Sequence, residues 1–212
     1  MRLFHSPYSF NARRAVIAAK VLGAPVELVC VDLAKGEQKS KDFLAMNRNG
    51  RVPVLDDDGF YLTESHAIMQ YLADKTPGQT LYPTDLRSRA DVNRWLFWSA
   101  HHFAPSISIL NWEHVVKGLI GLGPAVPAMV ELGEQRVLEC ARVLDGHLAE
   151  KVARVGKDKA WVSGDALSLA DLALATPLMC LERAKLPMSG APHILAWFER
   201  MREMPAWKET DL

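Results

Sequence analysis

Between Thr76 and Asp85 the sequence Thr-Pro-Gly-Gln-Thr-Leu-Tyr-Pro-Thr-Asp places two prolines and a glycine between stretches of helical periodicity. Proline has no amide donor and glycine costs the most backbone entropy, so a helix on either side stops there and the chain divides. Residues 1–75 form a first part, 76–85 a linker and 86–212 a second part. In the first, strand-like runs at residues 2–5, 26–31, 52–56 and 60–62 interleave with helical patterns at 12–22, 39–46 and 65–75, in the order βαβαββα. A helical crossover joins the first two strands, which makes them parallel. The turn Asp57-Asp58-Gly59 makes the last two antiparallel. A mixed four-stranded sheet with helices on its faces is predicted. In the second part, helical patterns fill residues 86–119, 125–152, 168–183 and 192–203, with Gly and Pro mostly at the joins, and an all-α bundle is predicted.

The 212 residues are 49% hydrophobic and 24% charged, enough to bury a core in one large or two small domains. Lys plus Arg and Asp plus Glu balance at 25 each, with no run of like charge, so neither nucleic acid nor an anionic membrane is expected as a partner held by charge. Cys30, Cys140 and Cys180 are widely spaced and form no Cys-x-x-Cys pair, so they are expected as buried thiols rather than disulfides or zinc ligands. No apolar stretch reaches membrane-spanning length and no signal-peptide pattern opens the chain, so a cytoplasmic location is expected.

Four segments carry candidate chemistry. Ser6-Pro7-Tyr8-Ser9 follows the first strand and opens the first helix, placing two hydroxyls where backbone N–H groups lack partners and the helix dipole is positive. An anion or thiolate is stabilised at such a place, and plain helix capping uses the same residues. In Asn49-Gly50-Arg51-Val52-Pro53-Val54-Leu55, a proline in a strand pattern leaves the Val52 backbone outside the ladder, where it can pair with an extended peptide ligand. Glu64-Ser65 opens the third helix and offers a hydroxyl, free N–H groups and a carboxylate. Together these suit an amino-acid head group, and again a capping serine. Ser168-Leu169-Ala170-Asp171 reads as a capping box that serves folding. His101-His102 point to different helix faces with no third ligand in view, so no metal site is expected.

The Ser6 to Ser9 segment resembles the glutaredoxins, which carry cysteines at the two serine positions, so a thiol at this place must arrive with a ligand. Taken with Ser9-Phe10-Asn11, Gln38-Lys39-Ser40, Asn49 to Leu55, Glu64 to Ile68, His102 to Pro105, Trp112-Glu113, Ser168 to Leu172 and Pro205-Ala206-Trp207, the chain resembles the cytosolic glutathione transferases, most closely the phi class. The resemblance implies an α/β thioredoxin-like domain followed by an all-α helical bundle, usually in a homodimer. It implies glutathione as co-substrate, no resident cofactor, and attack of the glutathione thiolate on a small hydrophobic electrophile lying between the domains. It puts Ser9 on the sulfur, Val52 and a cis Pro53 on the cysteinyl part, and Glu64 with Ser65 on the γ-glutamyl end. Gln38, Lys39 and Arg51 then face the glycyl carboxylate, while Tyr8, Phe10, Trp112 and Val116 line the electrophile pocket. Gln38 stands where the phi pattern often has His, and Arg51 where it often has Gln or Lys. An alignment on Ser-Pro-aromatic, as in the tau class, makes Ser6 the catalytic hydroxyl instead. A peroxidase or isomerase using glutathione, and a non-catalytic glutathione-binding or partner-docking module, are the alternative functions. A disulfide reductase is excluded because it needs a cysteine at Ser6 or Ser9.

Overall fold

The computed structural model describes residues 1–211 and divides them into two compact units, Met1–Tyr82 together with the segment from Met204 onward, and Pro83–Glu203. In the first unit, β1 (Arg2–His5), α1 (Phe10–Leu22), β2 (Glu27–Cys30), α2 (Lys41–Met46), β3 (Val54–Asp57), β4 (Phe60–Leu62) and α3 (Ser65–Lys75) follow in the predicted order. The sheet runs β2-β1-β3-β4, with β1 parallel to β2 and antiparallel to β3, and β3 antiparallel to β4. Asp58 at φ 52° and Gly59 at φ 91° form the two-residue turn between β3 and β4, the positive-φ pair that matches strand twist in a tight hairpin.

Side chains alternate across the sheet with period two, and each face finds its own partners. Leu3 and Leu55, directly opposite in register, pack with Ala15, Val16 and Ala19 of α1 and Ile68 and Leu72 of α3. Phe4 and Val54, the next pair, belong to a second cluster with Val31, Val52, Ala12 and Phe43 of α2. The first helix begins two residues before its predicted start because Ser9 caps it, and the second begins at Lys41 because Ser40 accepts from Phe43 N–H at 3.2 Å. Residues 37–39 form a separate 3₁₀ turn. The expected burial of Cys30 is wrong: it lies exposed on edge strand β2, while Cys140 is buried and Cys180 partly so.

In the second unit the predicted helix over residues 86–119 is interrupted. It is built from α4 (Leu86–Trp98), α5 (Ala104–Asn111) and α6 (Lys117–Leu119), joined by π turns at Ser99–Phe103 and Trp112–Val116. Pro105 has no N–H to give the His101 carbonyl, which is why a wider turn precedes it. α7 (Pro127–Val155) packs on α5 and on α9 (Pro192–Arg202), and α8 (Leu169–Ala175) packs on α4. The helix predicted over 168–183 stays α-helical only to Ala175 and tightens to 3₁₀ at Thr176–Cys180. Pro177 cannot bond the Ala173 carbonyl, and the Ser99 hydroxyl takes that carbonyl at 3.0 Å. The second unit ends before the predicted residue 212. α10 (Pro205–Lys208) and the residues after it cluster with α1, where the buried Arg13 guanidinium donates to Trp207 O at 3.1 Å and Asp211 at 3.1 Å and lies 4.3 Å from the Trp207 ring. Among the described residues no helix is long and apolar enough to cross a membrane.

Candidate functional site

The amino terminus of α1 is built by Ser9. Its backbone is extended (φ −99°, ψ 111°), and its Oγ accepts from Ala12 N–H at 3.2 Å, satisfying one of the helix's four unpaired donors. That bond uses an oxygen lone pair. The hydroxyl proton remains to be donated, and Ser9 is half-buried. Ser6 differs: it is 2% exposed, and its carbonyl is bonded by Ser9 N–H at 3.1 Å. Of the aromatic neighbours, Tyr8 is exposed, whereas Phe10 is buried beneath the Arg14 guanidinium, 5.7 Å from its ring.

The Val52-Pro53 peptide is cis, as the resemblance implied. β3 begins at Val54 rather than at the predicted Val52, so Val52 lies outside the ladder with β1. The side chain of Val52 packs with Ala12, the residue that gives its N–H to Ser9, which brings the entry of β3 and the start of α1 together. Gly50 at φ 57° is needed for the turn that leads in. A Cβ there would stand 2.8 Å from Lys39 Nζ and 2.9 Å from the Gln38 carbonyl oxygen, so any side chain would push the turn away from Gln38 and Lys39. Arg51 follows, exposed at the surface, its carbonyl accepting from Asn47 Nδ2 at 2.7 Å. The Gly50 turn therefore lies against Gln38 and Lys39, with the exposed Arg51 next in the chain. Gln38 turns its Nε2 to the Leu33 carbonyl at 3.4 Å, and its Oε1 is buried with no hydrogen-bond partner among the described residues. What Gln38 has left is the Oε1 acceptor and a second amide N–H, so it can meet either an N–H or a carboxylate of a ligand.

α3 starts at Ser65, and the capping position belongs to Glu64. Glu64 holds φ 66°, ψ 110°, a left-handed conformation that a non-glycine residue adopts only at a cost of about 1–3 kcal/mol, and its side chain makes no capping bond. The plain reading of this pair as a capping serine with a dipole-favoured glutamate is thereby lost. What the chain presents is an uncapped helix start, a buried Ser65 in its first turn and an exposed carboxylate on strained backbone.

Trp112 and Val116 both lie in the second π turn, Trp112 44% exposed and Val116 partly buried. The capping box at Ser168 and Asp171 is formed and wholly buried. Among the described residues no three His, Cys, Asp or Glu side chains come together to hold a metal.

Two family descriptions match this architecture, the N-terminal domain of glutathione S-transferase over residues 1–74 and its C-terminal domain over residues 120–205. The chain belongs to the glutathione S-transferase family. It is 34% identical over 216 residues to glutathione S-transferase 3 of Zea mays, covering 99% of this chain and 92% of that protein. It is 35% identical over 210 residues to glutathione S-transferase theta-2B of Homo sapiens, covering 95% and 80%. Among solved structures it is similar to glutathione transferase F7 from Populus trichocarpa (TM-score 0.84, 29% identity, 99% and 96% covered) and to Ure2p in complex with S-hexylglutathione (TM-score 0.89, 25% identity, 100% and 97% covered).

In this transferase, one residue near the site was invisible in the sequence. Arg14, fully buried in the second turn of α1, donates through Nη1 to His66 Nε2 at 2.7 Å and so ties α1 to the first turn of α3. Burial pushes the guanidinium down to about 9. The signal available was only an arginine on the apolar face of a helix, and periodicity cannot say what such a side chain reaches.

Proposed function

We propose that this transferase activates the thiol of glutathione with the Ser9 hydroxyl, in the manner of the phi class, and adds the thiolate to a small hydrophobic electrophile. The observation that carries the reading is the Ser9 cap: Oγ is held by Ala12 N–H at 3.2 Å on a half-buried residue, with its proton free to face a sulfur at the positive end of α1. The magnitudes suffice. Lowering a thiol from about 8.5 by two units needs about 2.7 kcal/mol of preferential thiolate stabilisation. A hydrogen bond to a charged group contributes about 1.5–3 kcal/mol and a helix terminus about 0.3–2.

Around the sulfur, the backbone of Val52 before cis Pro53 pairs with the cysteinyl part, and the α3 start with Ser65 and Glu64 takes the carboxylate and ammonium of the γ-glutamyl end. Lys39 and Arg51 hold the glycyl carboxylate as charged donors, and Gln38 faces the same end of the ligand with its second amide N–H and its Oε1. Tyr8 and Phe10 in the first unit, and Trp112 and Val116 in the second, are the residues assigned to the electrophile, with the exposed Tyr8 and Trp112 making the larger contribution. The chain works as a homodimer in the cytoplasm on this reading.

Ultraviolet absorbance of bound glutathione thiolate, titrated from pH 5 to 9, tests the mechanism. The expected midpoint is about 6.5, which raises the thiolate fraction at pH 7 from roughly 3% to about 75%. Its sign follows from the donor: a group that bonds the charged form favours it, so the midpoint moves down. A midpoint equal to that of free glutathione, with glutathione still bound, would falsify thiolate activation and leave a binding module. The α3 start has its own test. Glu64→Gly removes the positive-φ cost and is expected to raise the melting temperature by a few degrees, on the order of 1 kcal/mol, while weakening glutathione binding about tenfold or more through loss of a charged partner. Ser65→Ala is expected to weaken binding with little change in melting temperature. Calorimetric titration beside a thermal melt reads both, and unchanged affinity in both variants removes the α3 start from the glutathione site.

A further inference from the structure

The sequence from Gly118 to Val130 carries no charge, and its Leu119 and Leu122 are 79% and 58% exposed. Exposed apolar side chains in one uncharged stretch make it a candidate surface for an apolar contact. It is not loose at its base. Glu113, buried in the π turn, accepts from Lys117 Nζ at 3.0 Å and from Val126 N–H at 2.7 Å, so one carboxylate bonds both ends of the loop. Val126 is the capping residue of α7, and Glu113 supplies from a distance the capping bond that a valine side chain cannot make. The Val126 N–H and then Lys117 hold the Glu113 carboxyl below its ordinary range.

We infer that Glu113 is a positioning residue for the electrophile: by pinning Val126 to the turn that carries Trp112 and Val116, it sets how that turn and the apolar loop after it meet the apolar part of the substrate. The inference rests on the assignment of Trp112 and Val116 in the proposed function. The sequence of causes is local. A π turn has one residue more per bond than an α-helix and no intrinsic preference to persist, so its shape follows from what its side chains bond. Trp112 precedes Glu113 directly, and Val116 precedes Lys117, so each proposed contact residue has a member of the buried pair as its neighbour in the chain. Releasing the carboxylate frees both at once. Glu113 touches neither glutathione nor the reacting carbon on this account; it acts through its neighbours.

The experiment compares the affinities of the full-length protein for S-hexylglutathione and for glutathione by calorimetry, because their ratio reports the apolar contact without needing turnover. Two variants are used. Glu113→Gln removes the charge, and Val126→Pro removes the N–H while keeping an apolar side chain, at a φ of −87° that proline comes close to adopting. The wild type is expected to prefer S-hexylglutathione. In both variants the ratio is expected to fall by about fivefold, the scale of about one methylene losing its contact, with glutathione affinity kept within about twofold. A lower melting temperature with an unchanged ratio in either folded variant overturns the inference and leaves Glu113 as a helix cap. No preference in the wild type overturns it too. A wild type that binds neither compound instead sinks the functional reading on which it rests.

Discussion

Asp171→Ala is expected to lower the stability of this transferase by about 3–5 kcal/mol, the largest effect of any substitution considered. The carboxylate has no exposure and accepts four bonds: Oδ1 from Val162 N–H at 2.9 Å and from the Trp197 indole at 3.0 Å, and Oδ2 from Ser168 N–H at 2.9 Å and the Ser168 hydroxyl at 2.8 Å. Burial pushes its titration upward while the four donors pull the other way. Alanine leaves three N–H groups that cannot turn away, each costing about 1–3 kcal/mol when buried without an acceptor. For a chain of this size the melting temperature is expected to drop by about 10 °C or more. Asp171→Asn should lose less. Its amide can place NH₂ beside Ser168, whose hydroxyl rotates to accept, so that one opposed N–H remains. Glutathione affinity in the folded fraction is expected to stay near normal in both, since the box lies in the second unit and serves packing. A melt showing Asp171→Ala as stable as the wild type contradicts the assignment.

Ser9→Ala is expected to cut turnover about ten- to a hundredfold, the scale of one hydrogen bond to a charged atom, with glutathione still bound. Because Ser9 also caps α1, the same change costs about 1 kcal/mol of stability. Ser9→Gly separates the two effects: glycine at a cap costs only a few tenths of a kcal/mol, about a fifth of the alanine penalty or more, yet it lacks the hydroxyl equally. Both variants should show the same kinetic loss and return the thiolate midpoint upward, while only Ser9→Ala melts noticeably lower. Ser6→Ala should leave turnover near normal, since the Ser6 hydroxyl is buried. If Ser6→Ala is the damaging change at equal melting temperature, the tau-like alignment on Ser6 is the right one.

The likeness to Ure2p bound to S-hexylglutathione fits a glutathione site but not turnover by itself. Retention on immobilised glutathione with no reaction toward aryl halides, epoxides, enones, isothiocyanates or peroxides would favour the binding-module alternative. On the proposed mechanism the difference between the two rests on one hydroxyl proton and one helix end.

How much of this was legible before any coordinates varied with the range of the interaction. β1, β4 and α3 stand at their predicted limits, and the hairpin turn formed at Asp58-Gly59. Strand alternation, turn chemistry and hydroxyls at helix starts act within a few residues, so the sequence alone determined the βαβαββα order, the helical second part and the cap at Ser9. The order and spacing of weak motifs along the chain also sufficed to name the family. Tertiary structure decided what depends on residues far apart. It moved the capping position from Ser65 to Glu64, which holds a positive φ that composition does not encode. It turned one Gln38 amide N–H toward Leu33 and left the Oε1 buried without a partner among the described residues. It drew the last turn of the chain onto Arg13 and joined Arg14 to His66. It gave Asp171 two further donors, Val162 N–H and the Trp197 indole, which convert a local capping box into a node of the core. The physical reason is common to the contacts of Arg13, Arg14 and Asp171: a buried polar group must find a partner or lose its hydration without return. Which partner it finds is set by the packing of elements distant in sequence, and periodicity records only which face of each element is apolar.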